Sequence, residues 1–316
     1  MDQFVFIGGN ILSGIGQVTK KYASLMNIEK VYSWEEEIPK NKIVFIFALP
    51  IPNVIDKIKK LQSVSKSVNC MCVCETEEVH PIHGELFKLF ESVLVPSEFC
   101  KNVFSKQFPK TSFSVLHHWS PEPSLFIKQP NTKISKYGYT FYHIGNILDH
   151  RKQVKKIIEA FLRLQLPDTC LVLKATCLKE VNWNIPNVII INGLVSDAEI
   201  DRLHSECDCY VSFSHSEGVG MGAVEAALHD KPVIISEYGG ASEYIKTPYT
   251  IECDKCNVGV DDFLYTKDMV WGNPNFEKLK EFMKDAYEKK MTYMSHIHTK
   301  NLMNNVLKNL KTCLDQ

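Results

Sequence analysis

One stretch constrains this chain more than any other. Cys209–Phe213 reads as a short apolar strand, a loop with three glycines follows, and Gly222-Ala-Val-Glu-Ala-Ala-Leu228 continues as a helix of small and apolar residues. Lys231-Pro-Val-Ile-Ile-Ser236 is then the next strand. Strand, loop, helix and strand in direct succession belong to a parallel α/β sheet, because a tight hairpin cannot join parallel strands. The first backbone N–H groups of such a helix are a ready site for phosphate. Gly220 and Gly222, flanking Met221, let a ligand approach the backbone with no Cβ in the way. Glu225 lies within an apolar run, where a carboxylate is costly unless something satisfies it. The paired hydroxyls of a ribose or a hexose are suitable partners. On these residues alone, a glycine turn with a solvated glutamate is an equally good reading.

Glu217 and Glu225 enclose seven residues. The pair resembles the Glu-x7-Glu signature of retaining nucleotide-sugar glycosyltransferases with the GT-B fold. The wording Ser216-Glu-Gly-Val-Gly220, then Val224-Glu-Ala-Ala-Leu-His-Asp-Lys-Pro-Val-Ile234, is similar to family 4 of these enzymes, and Gly239-Gly-Ala-Ser-Glu243 resembles their following loop. The resemblance implies two Rossmann-like doubly wound domains facing across a cleft. It implies that Glu217 orients donor-sugar hydroxyls, that Glu225 holds the ribose, and that no bound metal is needed.

A chain of 316 residues has room for two domains, and 45% hydrophobic with 23% charged residues is the balance of a globular protein. The formal net charge of −1 supplies no field for nucleic acid, so no nucleic-acid partner is expected. Eleven cysteines are present; Cys70, Cys72 and Cys74 alternate along one strand face, as small core hydrophobes in a reducing compartment would. Cys253-Asp-Lys-Cys256 is half a zinc pattern without a second half nearby, and no metal site is expected. No run is long enough for a transmembrane helix, and the N-terminus has no basic region of a signal peptide. A cytoplasmic protein is expected, with peripheral membrane contact left open.

The N-terminal half alternates strands and helices, arguing for a parallel sheet covered on both faces. Phe4–Ile7 is a strand, and Ser13-Gly14-Ile15-Gly16 leads into a helix through Met26. The dinucleotide fingerprint is absent, which weakens a dehydrogenase reading. Ser-Gly-Ile-Gly is, however, similar to the first loop of family 4, which implies that Gly14 and Gly16 face the donor diphosphate across the cleft. Strands at Lys30–Ser33 and Ile43–Phe47, a helix at Pro52–Leu61 and a strand at Asn69–Cys74 follow. Ligands bind beyond the carboxyl ends of such strands, which places Glu75 and His80 where chemistry would occur. Many relatives carry a histidine close to Glu75, so Glu75 and His80 are both candidates for an acceptor-activating role. His83 reads as an ordinary helix-start residue.

The domain boundary is expected between about 120 and 136, where Ser120-Pro-Glu-Pro123 and Pro130-Asn-Thr-Lys133 break the pattern. His117 and His118 are neighbours on a strand, so they point apart and read as structural. Residues 1–128 are then an acceptor-side domain, 129–296 a donor-binding domain, and 297–316 a helix returning to the first. The second domain opens on the strand Tyr139–Ile144, and Val154, Ile157, Ile158, Phe161 and Leu162 mark the next helix's apolar stripe. In the family, a basic pair before this helix reaches the diphosphate, a role implied for Lys152 and Arg151. Asn146 stands where many relatives have arginine. The resemblance places Leu194 and Val195 at the nucleotide base, ahead of a capping box at Ser196–Glu199. Asp261–Pro274 reads as irregular, Phe276–Tyr287 as a helix, and about 298–314 as another.

The expected function is transfer of a sugar from a nucleoside-diphosphate sugar to a carbohydrate or glycoconjugate acceptor, with no tightly bound cofactor. Glu217, Lys152, Glu75 and His80 are the candidate catalytic residues. The alternatives are a noncatalytic nucleotide-sugar-binding protein of the same fold, which the departures at Asn146 and Glu75 would favour, and a nucleic-acid base glucosyltransferase, which would need a basic groove.

Overall fold

The computed structural model describes residues 3–9, 13–123, 134–289 and 296–314. The chain divides into two compact units, Met1–Ser120 with Cys256–Trp271 and Leu302–Gln316, and Pro121–Lys255 with Gly272–Asn301. The proline-marked stretch Pro130–Lys133 lies outside the described residues.

The first unit alternates β1 (Phe4–Ile7), α1 (Gly14–Leu25), β2 (Val31–Tyr32), β3 (Ile43–Phe47), α2 (Pro52–Val64), β4 (Ser67–Met71), α3 (His83–Phe87), β5 (Ser92–Val95), α4 (Glu98–Gln107) and β6 (Ser112–Val115). Its strands form one parallel sheet in the order β2-β1-β3-β4-β5-β6. Every residue of β3 is buried, as a strand covered on both faces requires. β4 stops at Met71 rather than Cys74, because its partner β5 has only four residues and Met71 already pairs with Leu94. Cys70, Cys72 and Cys74 nevertheless share one core cluster with Val44, Ile46 and Phe104, and all eleven cysteines are free thiols.

The second unit runs β7 (Tyr139–Gly145), α5 (Val154–Leu164), β8 (Thr169–Ala175), β9 (Val188–Ile191), α6 (Asp197–Glu206), β10 (Cys209–Val211), α7 (Met221–Leu228), β11 (Val233–Ser236), α8 (Ala241–Tyr244) and β12 (Thr250–Ile251). Its parallel sheet has the order β12-β11-β10-β7-β8-β9. The order reverses between β7 and β10, and in open parallel sheets the carboxyl edge at such a reversal is where ligands bind. In α5, Val154, Ile157, Ile158 and Phe161 are buried as the stripe predicts, but Leu162 is 41% exposed. Ala160 is buried instead, which rotates the buried arc and leaves Leu162 on its flank.

Two expectations for the last sixty residues need correction. The stretch read as irregular contains a strand, since β13 (Cys253–Asn257) pairs with β14 (Val270–Pro274) and buries Trp271. Asp262 turns the chain back by accepting from the N–H groups of Leu264 and Tyr265, a local side-chain turn that periodicity does not register. After α9 (Phe276–Lys289), the final helix is two helices, α10 (His296–Asn304) and α11 (Val306–Leu314). The break falls at Asn304-Asn305, whose short amides compete with the helix backbone.

Candidate functional site

The loops leaving β7 and β10 carry Asn146, Arg151, Lys152 and Glu217, four of the candidate residues of the second unit. After β7, Asn146 is exposed and its Oδ1 accepts from Leu148 N (3.2 Å), while Asp149 caps a short 3-10 turn, His150–Lys152, by accepting from Arg151 N (2.9 Å). Gln153 follows in the left-handed region at φ 48°, and its Nε2 donates to Phe213 O (3.2 Å). Arg151 O in turn accepts from His215 N (2.8 Å). The two loops are therefore tied together by backbone and side-chain bonds at the point where the sheet order reverses.

Glu217 is the centre of this junction. It is 8% exposed, and its carboxylate accepts from Lys152 Nζ, from Ser214 Oγ (2.7 Å) and from Arg151 Nη1 (3.2 Å). Burial alone would raise its pKa, but the charges of Lys152 and Arg151 and their hydrogen bonds outweigh it and hold the carboxyl at about 2. Arg151 also donates to Ser216 O and to Asp149 Oδ2 (3.4 Å). Its buried guanidinium thus shapes the loop, whereas the Lys152 ammonium, among the described residues, donates to the Glu217 carboxylate alone. The backbone of Glu217 is fixed from the other side, where Gly240 N donates to its carbonyl (2.8 Å). Gly239 sits at φ +99°, and a Cβ there would lie 2.4 Å from that oxygen, so no other residue fits.

Gly220 begins α7 at φ +79° with no side chain capping the helix start, which leaves the dipole end of Met221 and Gly222 for an anion. The space in front of Gly222 is not open: a Cβ would lie 2.4 Å from the Tyr210 hydroxyl, which donates to Ile144 O (3.1 Å). This glycine admits a tyrosine, so only its N–H remains for a ligand. Glu225, one turn further along α7, is partly exposed and has an oxygen 3.6 Å from Nε2 of the buried His204.

Leu194 and Val195 follow β9, and Leu194 is 66% exposed. Sequence reasoning missed Lys174 of β8, which reads as a solvent-facing strand residue but is 3% exposed. Its ammonium donates to Ala175 O (2.6 Å) and Gly193 O (2.7 Å), fixing the turn before Leu194, and burial lowers its pKa. A cavity of about 390 Å³ lies beside it, lined among others by Ile191, Val195, Glu199 and Ile200.

The remaining candidates belong to the first unit. Ser13 caps α1 by accepting from Gly16 N (3.1 Å); Gly16 is buried, and Gly14 is exposed with open space before it. Glu75 accepts from the Tyr265 hydroxyl. His80 accepts at Nδ1 from Ile82 N (3.2 Å), and its carbonyl meets Nδ1 of His83 (3.0 Å). His83 is buried between Phe87 and Phe104, where desolvation pushes its pKa down to about 4, and His118 packs on the Tyr22 hydroxyl (3.0 Å). Both read as structural. Among the described residues no three His, Cys, Asp or Glu side chains cluster as a metal site would, and no helix is long and apolar enough to cross a membrane.

The model of the family Glycosyl transferases group 1 matches residues 127–257, nearly the whole first part of the second unit. A search of curated proteins finds no match. Solved structures similar to the chain include a glycosyltransferase from Rickettsia africae (12% identity, 98% of this chain and 92% of that one, TM-score 0.60). A UDP-forming α,α-trehalose-phosphate synthase from Burkholderia xenovorans in complex with glucose-6-phosphate is similar at 10% identity over 88% and 74% of the two chains, with a TM-score of 0.62. The pneumococcal O-GlcNAc transferase GtfA, in complex with UDP and GlcNAc, is similar at 10% identity and a TM-score of 0.57. The chain covers 95% of itself but only 60% of that enzyme, and 58% of the matched chain in a GtfA/B complex. With its two parallel six-stranded sheets, the chain has the GT-B fold, and its second unit carries the segment that matches Glycosyl transferases group 1.

Proposed function

We propose that this protein is a retaining glycosyltransferase that uses a nucleoside-diphosphate sugar and a carbohydrate or glycoconjugate acceptor, without a bound metal. The observation that carries the reading is the junction of Lys152 and Glu217 at the β7–β10 reversal, beside the uncapped start of α7. In a transfer reaction the bond from the sugar to the diphosphate breaks and its electron pair leaves with the phosphate. Lys152 and the α7 amides supply fixed positive potential where that charge grows. Glu217, ionised at any working pH, is an acceptor only and suits sugar hydroxyls. Glu225 holds the ribose, and Leu194 and Val195 the base. In the first unit, Glu75 or His80 acts on the acceptor. UDP is the first nucleotide to test, since similar structures are named as UDP complexes or UDP-forming enzymes.

One observation favours the noncatalytic alternative. Asn146 offers no charge, and the Arg151 guanidinium is committed to Ser216, Glu217 and Asp149. Nucleotide binding with neither transfer nor donor hydrolysis would establish that alternative.

Two measurements test the main reading. A thermal-shift screen of UDP-, GDP-, ADP- and TDP-sugars identifies the donor, because a ligand of the native state raises its melting temperature. Glu225→Gln should then weaken binding of the free nucleoside diphosphate about tenfold to a hundredfold, the value of a lost charge-assisted bond. Glu217→Gln should leave that affinity intact, since its partner is the sugar. The reverse pattern in calorimetry would exchange or remove the two roles. Turnover should also survive EDTA; complete, metal-reversible loss would refute the metal-free part of the proposal.

A further inference from the structure

We infer that His204 is a positioning residue for Glu225, and that with Tyr142 it forms a buried relay setting the discrimination of a ribose from a deoxyribose. The inference rests on the ribose role proposed for Glu225. His204 lies on α6, Tyr142 on β7 and Glu225 on α7, so three elements converge on one imidazole. His204 is 0% exposed, with Nδ1 2.8 Å from the Tyr142 hydroxyl and Nε2 3.6 Å from a Glu225 oxygen.

The direction of these contacts follows from what is buried. Tyr142 is fully buried, and desolvation drives its pKa well above the usual tyrosine range, so the phenol keeps its hydrogen. His204 Nδ1 is its one hydrogen-bond partner among the described residues. Were Nδ1 to carry the hydrogen, the Tyr142 O–H would be left buried without an acceptor, which is costly. Nδ1 therefore accepts, and the imidazole hydrogen sits on Nε2. Among the described residues that N–H makes no hydrogen bond, and the group it faces is Glu225. The other neighbours leave this arrangement in place. His229 stacks on His204 at 5.1 Å and turns its own nitrogens to Asp201 (3.3 Å) and Ser205 (3.4 Å), and Tyr210 lies 6.4 Å away.

A buried N–H just outside hydrogen-bond distance of a partly exposed carboxylate is a contact poised to close. When Glu225 accepts from the vicinal hydroxyls of a ribose, Nε2–H holds the carboxylate plane. The carboxylate then offers its full acceptor strength to the 2′-hydroxyl. A residue that only packed α6 against α7 would not distinguish nucleotides by that hydroxyl.

The experiment is calorimetric titration of the intact chain with UDP, GDP and ADP, each against its 2′-deoxy form, for wild type, His204→Phe, His204→Gln and Tyr142→Phe. In wild type the ribonucleotide is expected to bind about tenfold or more tightly than the deoxy form. His204→Phe should reduce ribonucleotide affinity while leaving the deoxy form nearly unchanged, so that the ratio falls toward one. His204→Gln, which can place an N–H near the Nε2 position, should restore part of the ratio. If His204→Phe does not fold, Tyr142→Phe carries the test: loss of the hydroxyl frees the tautomer and should lower the ratio too. Equal weakening of both nucleotide forms, or an unchanged ratio, would overturn the positioning role alone. A wild-type protein that binds neither form, or both equally, would overturn the ribose role of Glu225 and this inference with it.

Discussion

Lys152→Ala is expected to lower turnover with the nucleotide-sugar donor by on the order of 10²–10³, the usual loss when one preorganised group is removed from a developing charge. Lys152 is the cation of the junction whose side-chain hydrogen bonding, among the described residues, is confined to Glu217. Arg151 has its guanidinium on a carbonyl and two carboxylates and cannot replace it without dismantling its own loop. In the proposed reaction the diphosphate is present in the ground state and gains charge on departure, so both binding and turnover should fall, turnover by more. Steady-state kinetics alongside calorimetric binding of the free nucleoside diphosphate separate the two effects. An enzyme whose turnover is within a fewfold of wild type after this change would remove Lys152 from the chemistry. A matching loss in melting temperature and in turnover would instead assign it to holding Glu217.

Glu217→Ala should destabilise the fold by about 3–5 kcal/mol, the cost of removing one partner from a buried ion pair. Lys152 and Arg151, with side chains only 16% and 10% exposed, would keep their charges with no carboxylate between them. Glu217→Gln preserves the shape and isolates the charge through its pH dependence. The carboxyl is held at about 2 in the folded protein against an ordinary 4.5. A depressed folded-state value means stability that is fully present above about pH 4.5 and is lost as pH falls toward 2. The difference is roughly 3 kcal/mol. Urea unfolding of wild type and Glu217→Gln between pH 6 and 3 reads it directly. Other carboxylates with lowered values, such as Glu36, Glu85 and Glu199, lie at the surface and occur in both proteins, so their contributions cancel. Parallel pH profiles for the two proteins would show that Glu217 is not held by its cations.

The contrast between Glu217 and Glu225 shows where local pattern ends. Both carboxylates stand out in the sequence, one in a glycine loop and one inside an apolar helix, because a charge in such company needs a partner. Neither partner is local. Lys152 and Arg151 precede Glu217 by more than sixty residues, and His204 lies on the helix before β10. Lys174 shows the same gap, since a lysine in Leu-Val-Leu-Lys-Ala reads as a solvent-facing side chain until the Gly193 carbonyl arrives beside it.

By itself the sequence determined the class of the fold and the positions of its glycine loops at strand ends. Uniformly apolar strands such as Ile43–Phe47, amphipathic helices between them and glycine loops at strand ends leave a parallel α/β sheet as the consistent solution, because each of these signals arises within a few residues. Only the tertiary structure decided the strand order β12-β11-β10-β7-β8-β9. That order makes β7 and β10 neighbours, and it is their adjacency that brings Lys152 to Glu217. Side-chain partnerships across such a junction depend on which strands pair, a property of the whole sheet that no local periodicity records.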